Sequence, residues 1–294
     1  MERVTHTCAV AGSHFLLEVG TGLWNSMSNL HPFQSREWSL DATEALFHLQ
    51  QVPSLPEPGD ALLYISQDGS GNPEIALFSC PDYYFFRMRP LPGCPVAGLL
   101  QCSKDFKQAQ LCLTGTADTF ALNNALMLLF AFTTAHLDLL EMHASVVVKD
   151  GRGYLFLGPS GTGKSTHSRL WLEQFPDAEL LNDDNPILRV MPDGTARVYG
   201  SPWSGKTPCY KAADVPAGAC VWLRQAPENR IQRLSPVDAY VALLQSASGF
   251  RPFTQLADGW HRTMEKLCSG VAFYTLDCLP DAAAAALCYQ TVKC

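Results

Sequence analysis

The sequence has few charged residues and no run of lysine and arginine. Charged residues occupy 17% of the 294 positions, and 21 Lys and Arg against 28 Asp and Glu give a formal net charge of −7. Nucleic acids and anionic membranes are bound through clustered positive charge, so we expect neither as a partner. The hydrophobic content of 47% excludes a largely disordered chain and is typical of a globular protein with a sizeable core.

Cysteine pairs with metal-site or redox spacing are also missing. The eleven cysteines are scattered, with no CxxC and no Cys/His cluster at zinc-ligand spacing. The first residues, MERVTHTC, have polar and acidic side chains where a signal peptide has its apolar segment. We therefore expect a cytoplasmic protein with reduced thiols.

One long stretch, residues 119–137, carries no formal charge. It contains polar side chains, among them Asn123 and His136, that are costly in the hydrocarbon of a bilayer. We interpret it as part of a buried helix rather than a membrane span. Capping residues before it and charged residues after it predict a helix from about residue 116 to near Glu141.

The pattern along the chain changes at about residue 116. Residues 1–115 contain short apolar runs bounded by turn signals, which are typical of strands. The clearest turn, residues 68–73 (DGSGNP), lies between LLYIS and EIALF and predicts a hairpin. After residue 116, helical patterns mix with strands, including one strand–loop–helix–strand unit. The sequence therefore predicts an α/β (mixed α+β) fold with two parts, a β-rich N-terminal region at 1–115 and a second domain at 116–294.

The strongest motif is GPSGTGKS at residues 158–165, which matches the phosphate-loop (P-loop) pattern GxxxxGK[ST] at every fixed position. An apolar strand, YLFL, precedes it and a predicted helix follows it. Backbone N–H groups of such a loop and the start of the helix attract phosphate. The lysine can reach the β- and γ-phosphates, and the serine hydroxyl can bind Mg²⁺. The residues predicted to bind the nucleotide here are Gly158, Ser160, Gly161, Thr162, Gly163, Lys164, Ser165 and Thr166.

A pair of acidic residues, Asp183 and Asp184, follows the apolar segment AELL, with Asp183 19 positions after Lys164. The helix and turn between them use up that length, so this strand can return beside the strand of the loop. Its carboxylates are then expected to face the phosphates. Successive strand residues point to opposite sides, so one carboxylate could hold Mg²⁺ while the other accepts a proton. A solvated acidic turn is the alternative.

Two further segments are candidates. His143 ends the predicted long helix and precedes the hairpin that leads into the loop, which places it within reach of a phosphate as a charge stabiliser or metal neighbour. In the segment GSPWSGK, at 200–206, Trp203 could stack on a base or cover the site, and Lys206 could neutralise charge on the transferred group. A surface hairpin loop with an anchored tryptophan is the alternative for this segment.

Together, His143, the hairpin, GPSGTGKST and LLNDD resemble the C-terminal domain of HPr kinase/phosphorylase, whose nucleotide-binding core is shared with phosphoenolpyruvate carboxykinases. The resemblance covers residues 116–190 well. It implies that Lys164 and Ser165 bind phosphate and metal and that Asp183 and Asp184 supply base and metal contacts. His143 would then lie near the transferred phosphate. It also implies a homo-oligomer, because HPr kinases form oligomers. A second signature of those kinases is absent, and so the chain resembles the wider group of HPr-kinase-like proteins.

We therefore predict an ATP-dependent, Mg²⁺-using kinase that transfers a phosphoryl group to a hydroxyl. The acceptor is a serine of a protein or peptide, or a small hydroxylated molecule. In this prediction Lys164, His143 and Lys206 stabilise charge, Asp183 activates the nucleophile, and Ser165 and Asp184 bind the metal. The alternatives are a phosphoenolpyruvate-carboxykinase-like enzyme acting on a small carboxylic acid and a non-catalytic nucleotide-binding regulator.

Overall fold

A computed structural model describes residues 3–35, 44–59, 62–66, 73–205, 207–248 and 253–293. The chain divides into two compact units, Met1–Thr133 and Thr134–Cys294. Each unit combines a sheet with helices, which confirms the prediction of a mixed α and β fold. Within the described ranges, no helix is long and apolar enough to cross a bilayer.

The N-terminal unit is built on one eight-stranded sheet. Across the sheet the order is β1-β2-β3-β8-β7-β6-β5-β4, with the strands β1 (Arg3–Val10), β2 (Ser13–Gly20), β3 (His48–Val52), β4 (Leu62–Ile65), β5 (Glu74–Ser79), β6 (Tyr83–Arg89), β7 (Gly98–Ser103) and β8 (Gln108–Leu113). Strands β4 and β5 pair antiparallel, as expected for the predicted hairpin. Residues 68–72 of its turn lie outside the described residues.

The described residues of this unit also form the helices α1 (Thr21–Ser26) and α2 (Asp118–Thr133), with a short 3-10 helix at His31–Phe33. Helix α2 packs against β6, β7 and β8 of the same sheet. This contact places the division between the units after residue 133, whereas the sequence pattern placed it at 115/116.

The prediction that the helix continues to near Glu141 is wrong. Asp138 has a left-handed backbone, with φ of 57°. Residues Leu139–Glu141 form strand β9, which pairs antiparallel with Ile187–Arg189. Strand pairing outcompetes the helix here, because apolar side chains bury equally well in either element and the sequence pattern does not separate the two.

The described part of the C-terminal unit holds the second sheet and four helices. Besides β9, its strands are β10 (Ala144–Lys149), β11 (Arg152–Leu157), β12 (Glu179–Asp184), β13 (Ile187–Val190), β14 (Ala196–Tyr199), β15 (Asp214–Gln225), β16 (Arg230–Arg233) and β17 (Ala272–Cys278). Its helices are α3 (Lys164–Gln174), α4 (Pro236–Ser246), α5 (Thr254–Gly270) and α6 (Ala282–Val292). Across this sheet the strands follow the order β12-β10-β11-β15-β14-β13-β9, and β17 pairs with both β15 and β16.

The centre of this sheet positions the glycine-rich loop and the acidic pair. Strand β10 lies between β11 and β12 and is antiparallel to both, while β11, β15 and β17 run parallel to one another. Because β11 and β12 both run antiparallel to β10, they end at the same edge of the sheet. The buried core beneath helices α3 and α6 includes Tyr154, Phe156, Trp171 and Leu276.

Several local predictions hold in this unit. The glycine-rich segment is followed by a helix to Gln174, and the segment ILRVMPDGTARVYG forms the hairpin β13–β14. Helix α4 begins with Ser235 as its cap, whose side chain accepts a hydrogen bond from the backbone N–H of Asp238. These elements have local start and stop signals, which is why the sequence identifies them.

Candidate active site

The segment 158–163 connects β11 directly to α3. Gly158, Gly161 and Gly163 have φ values of 144°, 82° and 104°, in the region that other residues rarely adopt. A Cβ on Gly158 would also lie 2.8 Å from the Thr162 hydroxyl. Helix α3 begins at Lys164 without a side-chain hydrogen bond at its cap. Its first N–H groups are therefore available to an anion.

Lys164 folds back over this loop. Its Nζ donates hydrogen bonds to the carbonyl oxygens of Gly158 at 2.8 Å and Pro159 at 3.3 Å. Burial lowers the pKa of the Lys164 amine, and the charges of Asp184 and Asp183 oppose that change. The Lys164 amine is thus close enough to Asp183 and Asp184 to interact with the charges of both.

The acidic pair lies within strand β12, which continues beyond the apolar segment AELL and includes both carboxylates. Ser145 is the strand partner of Asp183, and Ala144 is the partner of Asp184. Asp183 is 5% exposed, and its Oδ1 has no hydrogen-bond partner within the described chain. The Asp184 side chain is 35% exposed. Because both belong to one strand, the two carboxylates have different surroundings and cannot share one role.

His143 contacts the more exposed carboxylate. Its Nε2 lies 3.5 Å from Oδ1 of Asp184, and its backbone N–H donates to the carbonyl of Ser246 at 2.6 Å. Burial lowers the pKa of His143, the charge of Lys164 lowers it further, and Asp184 raises it. For Asp184, burial raises the pKa, while His143 and Lys164 lower it. His143, Lys164 and Asp184 therefore form one electrostatically linked group.

Glu141 is a feature of this region that sequence reasoning missed. Its side chain is 3% exposed, and in the described chain neither carboxylate oxygen has a hydrogen-bond partner. Burial raises its pKa well above the usual range, and Asp184 adds to the increase. The signal in the sequence was a carboxylate in the apolar run LDLLEMH, two residues before His143.

The segment 201–205 is tied to β12 by buried hydrogen bonds. The Asn182 amide donates to the carbonyl of Trp203 at 3.1 Å and to the Ser201 hydroxyl at 3.2 Å. Gly205 N–H donates to the carbonyl of Asp183 at 3.2 Å. Trp203 is 3% exposed, so its ring lies in the interior and presents no open face to a ligand. Lys206 lies outside the described residues.

The remaining predicted residues lie in the loop and in the first turn of α3. Ser160 and Ser165 are exposed, while Thr162 and Thr166 are half-buried. Among the described residues, no three His, Cys, Asp or Glu side chains are grouped to hold a metal ion by themselves. Magnesium usually binds one or two carboxylates together with phosphate oxygens and waters, and the unpartnered Oδ1 of Asp183 with the hydroxyl of Ser165 fits that donor set.

A cavity of about 540 Å³ lies beside the loop. It is lined by Gly161, Thr162, Gly163, Thr166, His167, Leu170, Leu223, Gln225, Ala226, Cys278, Leu279 and Pro280. These residues come from the loop and α3, from the end of β15, and from the connection between β17 and α6. No sequence pattern indicated this cavity.

Comparisons with known proteins identify no family for the chain. No family model matches, and no curated protein matches. A solved structure, the Hpr(Ser) kinase/phosphatase from Coxiella burnetii, is 13% identical and matches 52% of this chain and 93% of that chain, with a TM-score of 0.29. A similarity at this level identifies neither a family nor an activity.

Proposed function

We propose that the C-terminal unit is an ATP-dependent phosphotransferase that acts on a hydroxyl group. One observation carries the proposal: Lys164, Asp184 and His143 lie together at the start of a helix that follows a glycine-rich loop. Phosphoryl transfer mainly requires positioning and charge stabilisation, and these groups can supply both.

The phosphates of ATP would bind at the loop and at the first turn of α3. Lys164 now donates to two loop carbonyls, and it would exchange these neutral acceptors for charged phosphate oxygens. Magnesium, when bound, would supply positive charge that offsets the negative charge of the phosphates. The side chains suited to hold it are Ser165 and Asp183.

The different burial of the two carboxylates favours a division of roles that reverses the one predicted from the sequence. A base must be reached by the incoming hydroxyl, and Asp184 is the partly exposed carboxylate. Asp183 is nearly inaccessible, but its unpartnered oxygen is suited to a cation. We therefore assign proton acceptance to Asp184, held by His143, and metal binding to Asp183.

The reaction then proceeds as follows. The acceptor hydroxyl oxygen forms a bond to the γ-phosphorus, and the bond from that phosphorus to the β,γ-bridging oxygen breaks. The hydroxyl proton moves to the carboxylate of Asp184, and ADP leaves with the electron pair of the broken bond. Lys164 stabilises the charge that develops on the phosphoryl oxygens.

The test uses γ-labelled ATP and a cell extract as the source of acceptors. The parent protein is expected to label a product, and Asp184→Asn should reduce the labelling about a hundredfold while ATP still binds. Asp193→Asn, which changes an exposed carboxylate in the β13–β14 turn, is the matched control. Equal labelling by Asp184→Asn and the parent would contradict the proposal. ATP binding without any labelling would favour a regulator, and nucleotide-dependent decarboxylation of oxaloacetate would favour a carboxykinase.

A further inference from the structure

The cavity beside the glycine-rich loop combines an apolar wall with residues of the loop itself. Leu170, Leu223, Ala226, Leu279 and Pro280 supply the wall. Gly161 and Gly163 belong to the loop, and Thr166 belongs to the first turn of α3. A volume of about 540 Å³ is within the usual range for small-molecule sites. A ligand that continues from the loop would therefore place an uncharged, flat part against the leucines.

Most polar side chains of the lining are already engaged with the protein. Gln225 donates its amide N–H to the carbonyl of Gly161 at 3.2 Å. The Thr162 hydroxyl donates to the carbonyl of Pro159 at 2.8 Å. The Gln225 bond ties the wall to the loop, and the Thr162 bond lies within the loop. The second N–H of the Gln225 amide and its Oε1 are a donor and an acceptor side by side, and such a pair can bond to the edge of either purine.

His167 contributes one ring donor at most. Its Nε2 lies 3.1 Å from the indole Nε1 of Trp171, which can only donate, so Nε2 is the acceptor. Burial lowers the pKa of His167 to about 4, so the ring is neutral and carries its proton on Nδ1. A single N–H can donate to N7, an acceptor that adenine and guanine share.

Backbone donors at the wall are engaged as well. The N–H of Ala226 donates to the carbonyl of Cys278 at 3.2 Å, and the N–H of Leu279 donates to Oδ1 of Asn229 at 2.8 Å. The main-chain N–H groups at these two positions therefore cannot donate to the edge of a base.

We infer that this cavity holds the nucleoside part of the nucleotide and recognises the base by shape and apolar contact, so that adenine and guanine nucleotides bind alike. The inference rests on the proposed function, because it takes the loop to bind the phosphates. To the proposed function it adds where the base binds, and that the site does not select between adenine and guanine.

The experiment measures the binding of tripolyphosphate, ATP and GTP to the full chain by titration calorimetry at constant Mg²⁺. ATP and GTP should each bind about tenfold more tightly than tripolyphosphate, and their affinities should agree within about threefold. Leu279→Ala should weaken both nucleotides by about threefold to tenfold and leave tripolyphosphate unchanged. Ala226→Trp, which fills the cavity, should remove the advantage of the nucleotides altogether.

Leu244→Ala is the matched control, because Leu244 lies on α4 away from the cavity and is 37% exposed against 39% for Leu279. Three results would overturn the inference: nucleotides no tighter than tripolyphosphate, a preference for one purine of more than about tenfold, or equal losses in Leu244→Ala and Leu279→Ala. Each of these leaves phosphate binding intact. Failure of all three ligands to bind would instead contradict the proposed function.

Discussion

Two buried lysines of the C-terminal unit should respond in opposite ways to replacement by methionine. Lys164 lies over the loop, where burial lowers its pKa. Lys149 lies at the end of β10, where its hydrogen bond to Asp177, at 2.7 Å, raises its pKa. The surroundings of the Lys164 amine disfavour its charged form, whereas the surroundings of the Lys149 amine favour it. A charge retained at a cost to stability is typical of a functional site.

The expected effect of Lys164→Met on activity is large. Removing a charge that acts on the transferred phosphoryl group should lower transfer at least about a hundredfold, which corresponds to about 3 kcal/mol of transition-state stabilisation. Its effect on stability should be small. Two hydrogen bonds to loop carbonyls are lost, each of about 0.5–1.5 kcal/mol, but the burial of a charge is relieved as well.

Lys149→Met is the control, with the reverse expectation. A lysine whose pKa is raised on folding contributes stability below its usual pKa, and this contribution is lost only as the pH rises through the raised value. At neutral pH the variant should therefore unfold at a lower temperature, while label transfer stays as in the parent. Transfer by Lys164→Met within about threefold of the parent would refute the reasoning, because an amine on the phosphates cannot be replaced by a thioether at so small a cost.

Three further outcomes follow from the same structure. The pKa of His143 should rise in Lys164→Met, since the lysine charge lowers it, and a proton–carbon NMR titration of the imidazole measures this. Glu141→Gln should gain stability over the parent as the pH rises above 4.5, by at most about 1.4 kcal/mol for each pH unit, because a buried carboxyl with a raised pKa must ionise against its surroundings; urea unfolding at several pH values tests this. Gly200→Ala should cost about 2–4 kcal/mol in urea unfolding, because its Cβ would lie 2.0 Å from the carbonyl oxygen of Lys211.

Each of these three has a control or a contrary result. An unchanged His143 pKa in Lys164→Met would show that the lysine charge does not act on the imidazole. A pH-independent difference between Glu141→Gln and the parent would show that folding does not raise the pKa of Glu141. Gly270→Ala serves as the control for Gly200→Ala, because the nearest atom to its Cβ would be 3.4 Å away, an ordinary contact.

The sequence predicted those parts of the site that depend on neighbours along the chain. The loop follows a strand and opens a helix, so its motif and its structural context lie within some twenty residues. The acidic pair returns beside the loop because only one helix and one turn separate them. Short connections allow few arrangements of the elements that they join, so the spacing between the loop and the acidic pair was informative.

The parts that were missed depend on contacts between distant segments. Glu141 is buried because β9 pairs with β13, some 46 positions further along the chain, and a helical interpretation of the same residues hid this pairing. The cavity beside the loop is assembled from three separate segments, and no periodicity in the sequence indicates that they meet. Trp203 is buried because Asn182 binds the backbone around it, a contact that its turn-like sequence does not indicate.

The position of α2 has a practical consequence for fragment design. Its buried residues, which include Leu122, Leu126 and Phe130, belong with the strands β6, β7 and β8 that precede them in the chain. A recombinant piece that starts at residue 116 would carry this apolar helix without those strands, and exposed apolar surface of this kind promotes aggregation. A piece intended to preserve the C-terminal unit on its own should instead start at Thr134.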